Sequence, residues 1–260
     1  VAQKSGKISQ PRRLEAIRRK LLEDDEVSIE VLAGEFGVSG MTIRRDLDVL
    51  EYQGDIIRTH GGAAAAKRLT FEFSFRDRQN RNIEQKRRIA RLAVKYVRPG
   101  EVIMLDTGTT TLAIARRLSD KEKITVITTS LAIVSELQFA AGVETILLGG
   151  FLRKASPDLH GPLTEQNVEL FRTDVAFMGA DAVDSIGNTY TDDLRVANLD
   201  KKMAANAKKV IVVADSSKFG RAAMCRVLGP GDYDMLITDS AVDKKIAKDL
   251  ARRKINIVSA

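Results

Sequence analysis

Apolar residues fall into two textures along this chain. From Pro11 to Ala63 they recur mostly at helical spacing, whereas beyond Glu101 short β-branched runs alternate with helical stretches. Leu14, Ile17, Leu21 and Leu22 give residues 11–25 one apolar face, with Pro11 suited to the first turn. Ile29, Leu32, Ala33 and Phe36 do the same for residues 28–36. After the turn Gly37-Val38-Ser39, Ser39 is a good N-cap and Ile43, Leu47 and Leu50 recur at i, i+4 and i+7, which predicts a third helix. Residues 55–63 read as a short two-stranded wing in which Gly61 and Gly62 permit close approach of another backbone.

The phase of the third helix carries the first functional signal. At about 100° per residue, Met41, Arg44, Arg45 and Asp48 lie opposite the Ile43–Leu47–Leu50 stripe, with Thr42 on the flank. Taken alone, paired arginines are as compatible with a solvated helix face. A short helix, a Gly-containing turn and a capped second helix with two basic residues in its first turns is, however, the helix-turn-helix arrangement, which reads the major groove from those turns. Ser39, Met41, Thr42, Arg44 and Arg45 are therefore candidate DNA contacts. Arg58 and His60 on the wing are candidate phosphate contacts, and for His60 a purely structural place in the wing is an equal reading.

Downstream, predicted strands at 102–106, 124–128, 144–148, 175–178, 210–214, 235–238 and 255–258 alternate with helices at 110–118, 131–140, 164–171, 194–207 and 242–252. That order implies a largely parallel sheet covered on both faces. Between the two textures lies a connector. Leu69, Phe71, Phe73 and Phe75 alternate in it as an extended segment would. Residues 83–98 follow as a helix with Ile89, Leu92, Ala93 and Tyr96 on one face, stopped by Pro99-Gly100. The expected division is a DNA-binding domain over 1–66, a basic connector and linker helix over 67–98, and an α/β effector-binding and oligomerisation domain over 99–260.

Composition changes this picture in three places. The net charge of +7 sits mainly in the connector: residues 1–66 hold ten basic against eleven acidic residues, 67–98 eleven against three, and the remainder twenty-one of each. The argument for DNA thus rests on where basic residues stand (Arg12, Arg13, Arg18, Arg19 and Lys20 on the first helix, Arg44 and Arg45 on the third, Arg58 on the wing) and not on bulk charge. One cysteine, Cys225, and two histidines leave no intramolecular disulfide and little for a soft metal, so neither a metal nor a cofactor is expected. Cys225 itself reads as a small buried hydrophobe. No apolar run approaches the roughly 18 residues of a membrane span, and the basic start lacks the apolar core of a signal peptide, which points to a cytoplasmic protein without membrane contact.

Asp106-Thr107-Gly108-Thr109-Thr110-Thr111 follows a predicted buried strand and opens a helix. Free amides, a glycine and four hydroxyls in five residues make an anion site, with Thr109 or Thr110 expected to cap the helix. The spacing is neither a P-loop nor a dinucleotide fingerprint. Open α/β sheets bind ligands beyond their carboxyl edges, and four other strand ends offer polar groups there: Thr129 and Ser130 after Thr128, Gly150 and Arg153 after Gly149, Asp181 after Gly179, and Lys218 after Asp215-Ser216-Ser217. Lys218 is the natural second cation for a phosphate and Asp181 a natural acceptor from sugar hydroxyls. Together they favour a small phosphorylated polyol.

Val38 to Leu47, His60-Gly61-Gly62-Ala63, Asp106 to Thr110, Gly149-Gly150 with Arg153, and Asp215-Ser216-Ser217-Lys218-Phe219-Gly220 resemble, in order, the signatures of the DeoR family of bacterial transcriptional regulators. The resemblance implies an N-terminal winged helix-turn-helix joined to a Rossmann-like, ribose-5-phosphate-isomerase-like α/β sensor. It further implies a repressor of carbohydrate genes, dimeric or tetrameric, that leaves operator DNA when a phosphorylated sugar binds. Two departures stand out. Val196 and Asp200 occupy positions where the family commonly has Glu and Lys, and Thr129-Ser130 stands where asparagines are common. In the related isomerases a glutamate in that first region is the catalytic base, so Val196 argues against enzymatic activity. The rival reading is a sugar-phosphate isomerase with an accessory DNA-binding arm, for which Asp181 or Asp184 would have to serve as base.

Overall fold

The computed structural model describes residues 8–24, 26–53, 55–65, 75, 77–121, 123–153 and 156–260, with backbone alone at 22 and 23. The alternation of Leu69, Phe71 and Phe73 lies outside the described residues. The chain divides into two compact units, Val1–Arg76 and Asp77–Ala260.

In the first unit α1 (Gln10–Asp24), β1 (Glu26–Ser28), α2 (Ile29–Phe36), α3 (Gly40–Tyr52), β2 (Ile56–Thr59) and β3 (Gly62–Ala65) follow one another. Ile17, Leu21, Leu32, Ile43, Leu47 and Leu50 are all fully buried in one core, as their helical spacing requires. Ser28 caps α2 by accepting from the Val31 amide at 3.2 Å. Gly37 closes it in the left-handed region at φ 61°, a conformation that favours glycine. Ser39 then caps α3 by accepting from the Thr42 amide at 3.2 Å. The wing is three-stranded, in the antiparallel order β1-β3-β2. β1 has only three residues, too few for a period of two to show. Gly62 is where it meets the hairpin: a Cβ there would lie 1.9 Å from the Val27 carbonyl oxygen.

The second unit begins with α4 (Ile83–Ala93), continued by a 3₁₀ turn at Val94–Tyr96. By charge this helix belongs to a connector, but it is part of the second compact unit, burying Ile89, Ala90 and Ala93. After it come β4 (Val102–Leu105), α5 (Thr109–Leu118), β5 (Ile124–Thr128), α6 (Leu131–Leu137), β6 (Val143–Leu147) and the small hairpin of β7 (Phe151–Leu152) and β8 (Leu159–His160). Next are α7 (Pro162–Glu169), β9 (Val175–Gly179), β10 (Ala182–Val183), β11 (Thr189–Thr191), α8 (Leu194–Ala205) and β12 (Val210–Val213). The unit closes with β13 (Cys225–Arg226), β14 (Met235–Thr238), α9 (Lys244–Arg252) and β15 (Ile257–Ser259). Seven strands pair in parallel in the order β15-β14-β12-β9-β4-β5-β6. β10, β11 and β13 form a separate antiparallel sheet whose short strands the sequence pattern did not announce.

That strand order locates the crevice. From β4 the chain winds outward through β5 and β6, then returns to the other side of β4 and winds outward again from β9 through β12, β14 and β15. Strand order reverses between β4 and β9, and the carboxyl ends of that pair are where an open α/β sheet leaves a gap for a ligand.

Candidate functional site

The first unit presents a basic face whose membership is decided by ion pairing. Arg13 is buried and held bidentately by Asp46, itself fully buried: Nε donates to Oδ2 at 2.5 Å and Nη2 to Oδ1 at 3.1 Å. It therefore ties α1 to α3, which removes it from the basic residues expected to face DNA. Arg18 donates to Asp55 at 2.7 Å and Lys20 to Glu35, and Arg58 lies 3.6 Å from Asp48. Arg44 and Arg45 are exposed and make no ion pair among the described residues. Met41 is 55% exposed and Thr42 bonds Ser39 Oγ at 3.0 Å. His60 is exposed in the turn between β2 and β3. Such a surface offers fixed cations and a hydroxyl on one helix end, with the wing beside it.

In the second unit a cavity of about 180 Å³ opens at the β4–β9 switch point. Its base is organised by Asp106. One carboxylate oxygen accepts from the Gly108 amide at 2.9 Å and the Thr111 hydroxyl at 2.6 Å, and the other accepts from the Gly179 amide. Burial pushes this carboxyl up, against three hydrogen bonds that favour its charged form. Asp106 thus braces the loop after β4 against the end of β9.

The N-cap of α5 is Gly108, and no side chain caps that helix; Thr111, the hydroxyl that bonds locally, reaches back to Asp106 and to the Gly108 carbonyl. The expected capping by Thr109 or Thr110 does not occur. Both line the cavity, at a helix start where the first amides have no intrahelical acceptor.

Of the other expected ligand residues, Gly108, Arg153, Asp181 and Lys218 line this cavity; Thr129, Ser130 and Gly150 do not. Thr129 is fully buried and Ser130 caps α6, accepting from the Ile133 amide at 3.3 Å. Gly150 is a packing glycine, since a Cβ there would lie 1.8 Å from Thr164 Oγ1. The reason is topological: β5 and β6 lie on the far side of β4 from the crevice. Arg153, though in the lining, is engaged bidentately by Asp158 at 2.7 and 2.5 Å. Asp181 accepts from Thr191 at 2.9 Å and lies 3.8 Å from Arg78.

The structure adds residues that motif reading missed. Arg78, Arg81, Asn82 and Lys86, from the segment leading into α4 and from its first turn, line the cavity together with Arg221 and Asp200. Lys86 donates to the carbonyls of Arg78 and Arg81, the latter at 2.7 Å. Asn82 donates to Asp215 at 2.9 Å and to Ser217 at 3.1 Å. The signal for these residues was the charge excess of 67–98, which had been given no partner. Burial lowers the Lys86 ammonium to about 8, with Asp215 opposing and Lys218, Arg78 and Arg81 adding to the fall.

Six cations and four carboxyls line the cavity, and two of those carboxyls, Asp106 and Asp200, are pushed toward their neutral forms by burial. The balance favours an anion. Val196 lines it as an apolar group. Asp184 does not line it: burial raises its carboxyl, but hydrogen bonds from Asn188, Tyr190 and Ile186 outweigh this and hold it low, which spends it on a turn. Among the described residues no cluster suits a metal ion, and no helix is long and apolar enough to cross a membrane.

Residues 13–68 match the family model described as DeoR-like helix-turn-helix domain, and residues 81–240 match the DeoR C terminal sensor domain. The putative aga operon transcriptional repressor of Escherichia coli O157:H7 is 33% identical over 248 residues, 95% of this chain and 92% of that protein. The HTH-type transcriptional regulator GlpR of Haloferax volcanii is 33% identical, covering 93% and 96%. The glycerol-3-phosphate regulon repressor of Escherichia coli K12 is 30% identical, covering 96% and 99%. Among solved structures, ribose 5-phosphate isomerase A of Methanocaldococcus jannaschii aligns with TM-score 0.41 at 23% identity over 53% of this chain and 55% of that one, a likeness too loose to bear on chemistry.

Proposed function

Because the chain belongs to the DeoR family of transcriptional regulators, we propose that it is a repressor whose hold on operator DNA is released when a phosphorylated sugar enters the β4–β9 cavity. It is a DNA-binding regulator and not an isomerase. Its relatives are regulators by name, the expected position of a base holds Val196, and Asp184 is outside the cavity. On the DNA side, Ser39, Met41, Thr42, Arg44 and Arg45 meet base edges and phosphates while Arg58 and His60 track the backbone beside them. The protein acts in the cytoplasm, where its operator is.

The observation that carries the effector reading is a helix start without a side-chain cap beside Lys218 and Arg221, neither of which is ion-paired among the described residues. Amides, hydroxyls and cations without ion-pair partners lining one cavity are what a phosphate needs. One relative, moreover, is named for a glycerol-3-phosphate regulon. Thr109, Thr110 and Lys218 receive the phosphate, Asp106 holds the loop through the Gly108 amide, where glycine lets the ligand approach, and Asp181 accepts from the polyol. Lys86 supplies the route outward: it clamps the carbonyls of Arg78 and Arg81, so an anion drawn to its ammonium competes with the segment by which the chain enters the sensor. A ligand can shift the DNA-bound population only by such differential contacts.

The test is operator affinity by fluorescence anisotropy, with and without glycerol 3-phosphate and hexose and hexosamine 6-phosphates. We expect at least one to weaken binding by about 5- to 150-fold, and Lys218→Ala to bind operator normally yet stay on it. If no phosphorylated sugar changes wild-type affinity, the effector class is wrong. If the variant lets go at the same concentration as wild type, Lys218 is outside the site.

The regulator is also proposed to be a homo-oligomer, because helix-turn-helix proteins read paired half-sites. Phe151, Leu152 and Leu163, large apolar side chains more than half exposed around the β7–β8 hairpin, support the sensor as the assembling surface. Light scattering of the full chain at micromolar concentration should give a dimer or tetramer. A monomer there, and on operator DNA, would refute it.

A further inference from the structure

Charged groups around the cavity sort into two neighbourhoods. Lys86 responds to Asp215, Lys218, Arg78 and Arg81, whereas Asp200 responds to Asp106, Asp181, Arg153 and Asp158. The first is the cationic side assigned to the phosphate. The second has three carboxyls lining the cavity, and its one guanidinium, Arg153, is already held bidentately by a fourth carboxylate, that of Asp158.

Within this second neighbourhood Asp200 stands apart. It lies on α8 one turn beyond Val196, faces the cavity and is only 8% exposed, yet its carboxyl accepts no hydrogen bond from any described residue. Asp106 has three donors, and Asp181 has Thr191 with Arg78 nearby. A buried carboxyl without a partner is costly and is retained where something arrives to satisfy it. Burial, together with Asp106 and Asp181, pushes its pKa well up. A metal ion is a poor candidate for the missing partner, since the described acidic side chains do not converge as ligands. With Arg153 held by Asp158 and Arg78 beside Asp181, what fits the unpartnered carboxyl of Asp200 is an organic cation bearing N–H donors.

We propose that Asp200 is the specificity-determining residue of the cavity and that it reads a primary amine on the effector; the effector class is then a phosphorylated amino sugar. This rests on the sugar-phosphate reading above and narrows it. Docking of the ammonium favours ionisation of Asp200, whose proton goes to solvent while the carboxylate pairs with the ligand cation, so amino-sugar binding releases protons.

The test is calorimetric titration of the full chain with two matched pairs, glucosamine 6-phosphate against glucose 6-phosphate and galactosamine 6-phosphate against galactose 6-phosphate. Each titration is run in two buffers of different ionisation enthalpy. In at least one pair the amino member should bind about tenfold or more tighter, the difference between a charge-assisted and a neutral hydrogen bond, and should show net proton release. Its hydroxy partner should release none. Asp200→Asn should erase the preference and the proton release together; should that variant not fold, proton release in the wild type decides. If the hydroxy members bind as tightly, or the amino members release no proton, Asp200 does not read an amine, while the sugar-phosphate reading stands. If neither pair binds and no phosphorylated sugar alters operator affinity, that reading falls and this one with it.

Discussion

On the proposed reading, the helix-turn-helix unit and the sensor cavity both meet phosphate with basic side chains, and they hold those side chains differently. In the first unit the inward cations are matched to carboxylates, Arg13 to Asp46 and Arg18 to Asp55, which leaves Arg44 and Arg45 out in water on α3. In the cavity the cations are graded: Lys86 is buried among backbone carbonyls, Lys218 is half-buried and Arg221 is exposed, the last two without ion-pair partners among the described residues. An exposed arginine keeps its hydration until DNA arrives, and its contribution is screened by salt. A cation in a small cavity is partly desolvated in advance, which costs stability and makes its attraction for one small anion stronger. On the proposed reading, it is the buried Lys86 that sets the cavity apart from the exposed Arg44 and Arg45.

Arg13 is where this contrast is most easily broken. As a buried, bidentate partner of Asp46 it holds the fold, and Arg13→Ala should cost about 3–5 kcal/mol. Denaturation of the full chain would then show a destabilised transition, with operator and non-specific DNA binding falling together. A variant of unchanged stability with altered operator affinity alone would return Arg13 to the DNA face. Arg45→Ala should do the reverse, leaving the melt unchanged and costing about 1–3 kcal/mol of specific binding at matched salt. Unchanged affinity in an anisotropy titration would mean that α3 does not read the groove.

The smallest effect sharpens the cavity side. Lys86 keeps its proton only below about 8, well under an ordinary lysine, because it is buried. A phosphate favours the charged ammonium, so effector affinity should be full below that pH and fall as pH rises through it, by up to about tenfold between pH 7 and 9. Lys86→Met should flatten the profile. A wild-type affinity that stays level to pH 10 would show that the ammonium does not meet the ligand.

Legibility followed the same division. The α3 face came from helical phase within thirteen residues, and the structure leaves its charged members exposed. The Asp106 loop and the Lys218 turn were readable because each is a local motif at a strand end. Ion pairing across 33 residues, as between Arg13 and Asp46, leaves no local trace, so Arg13 looked like its neighbours. Nor could strand ends be ranked without the strand order. Thr129, Ser130 and Gly150 have the same chemistry as the cavity lining, yet they follow β5 and β6, on the far side of β4 from the crevice. Asp200 was visible as an oddity on its helix, but only its burial beside Asp106 and Asp181 gives that oddity a chemical meaning.

Asp106 also bears on timing. Its carboxylate joins the loop after β4 to the Gly179 amide through the protein's own hydrogen bonds, so the gap between the two strand ends is set by the fold itself. A site ordered in advance has little rearranging to do on capture. In stopped-flow mixing the observed association rate should climb in proportion to effector concentration without levelling off. The regulator would then follow a rising metabolite pool as fast as collisions allow, and the time it takes to forget that pool would be governed by dissociation.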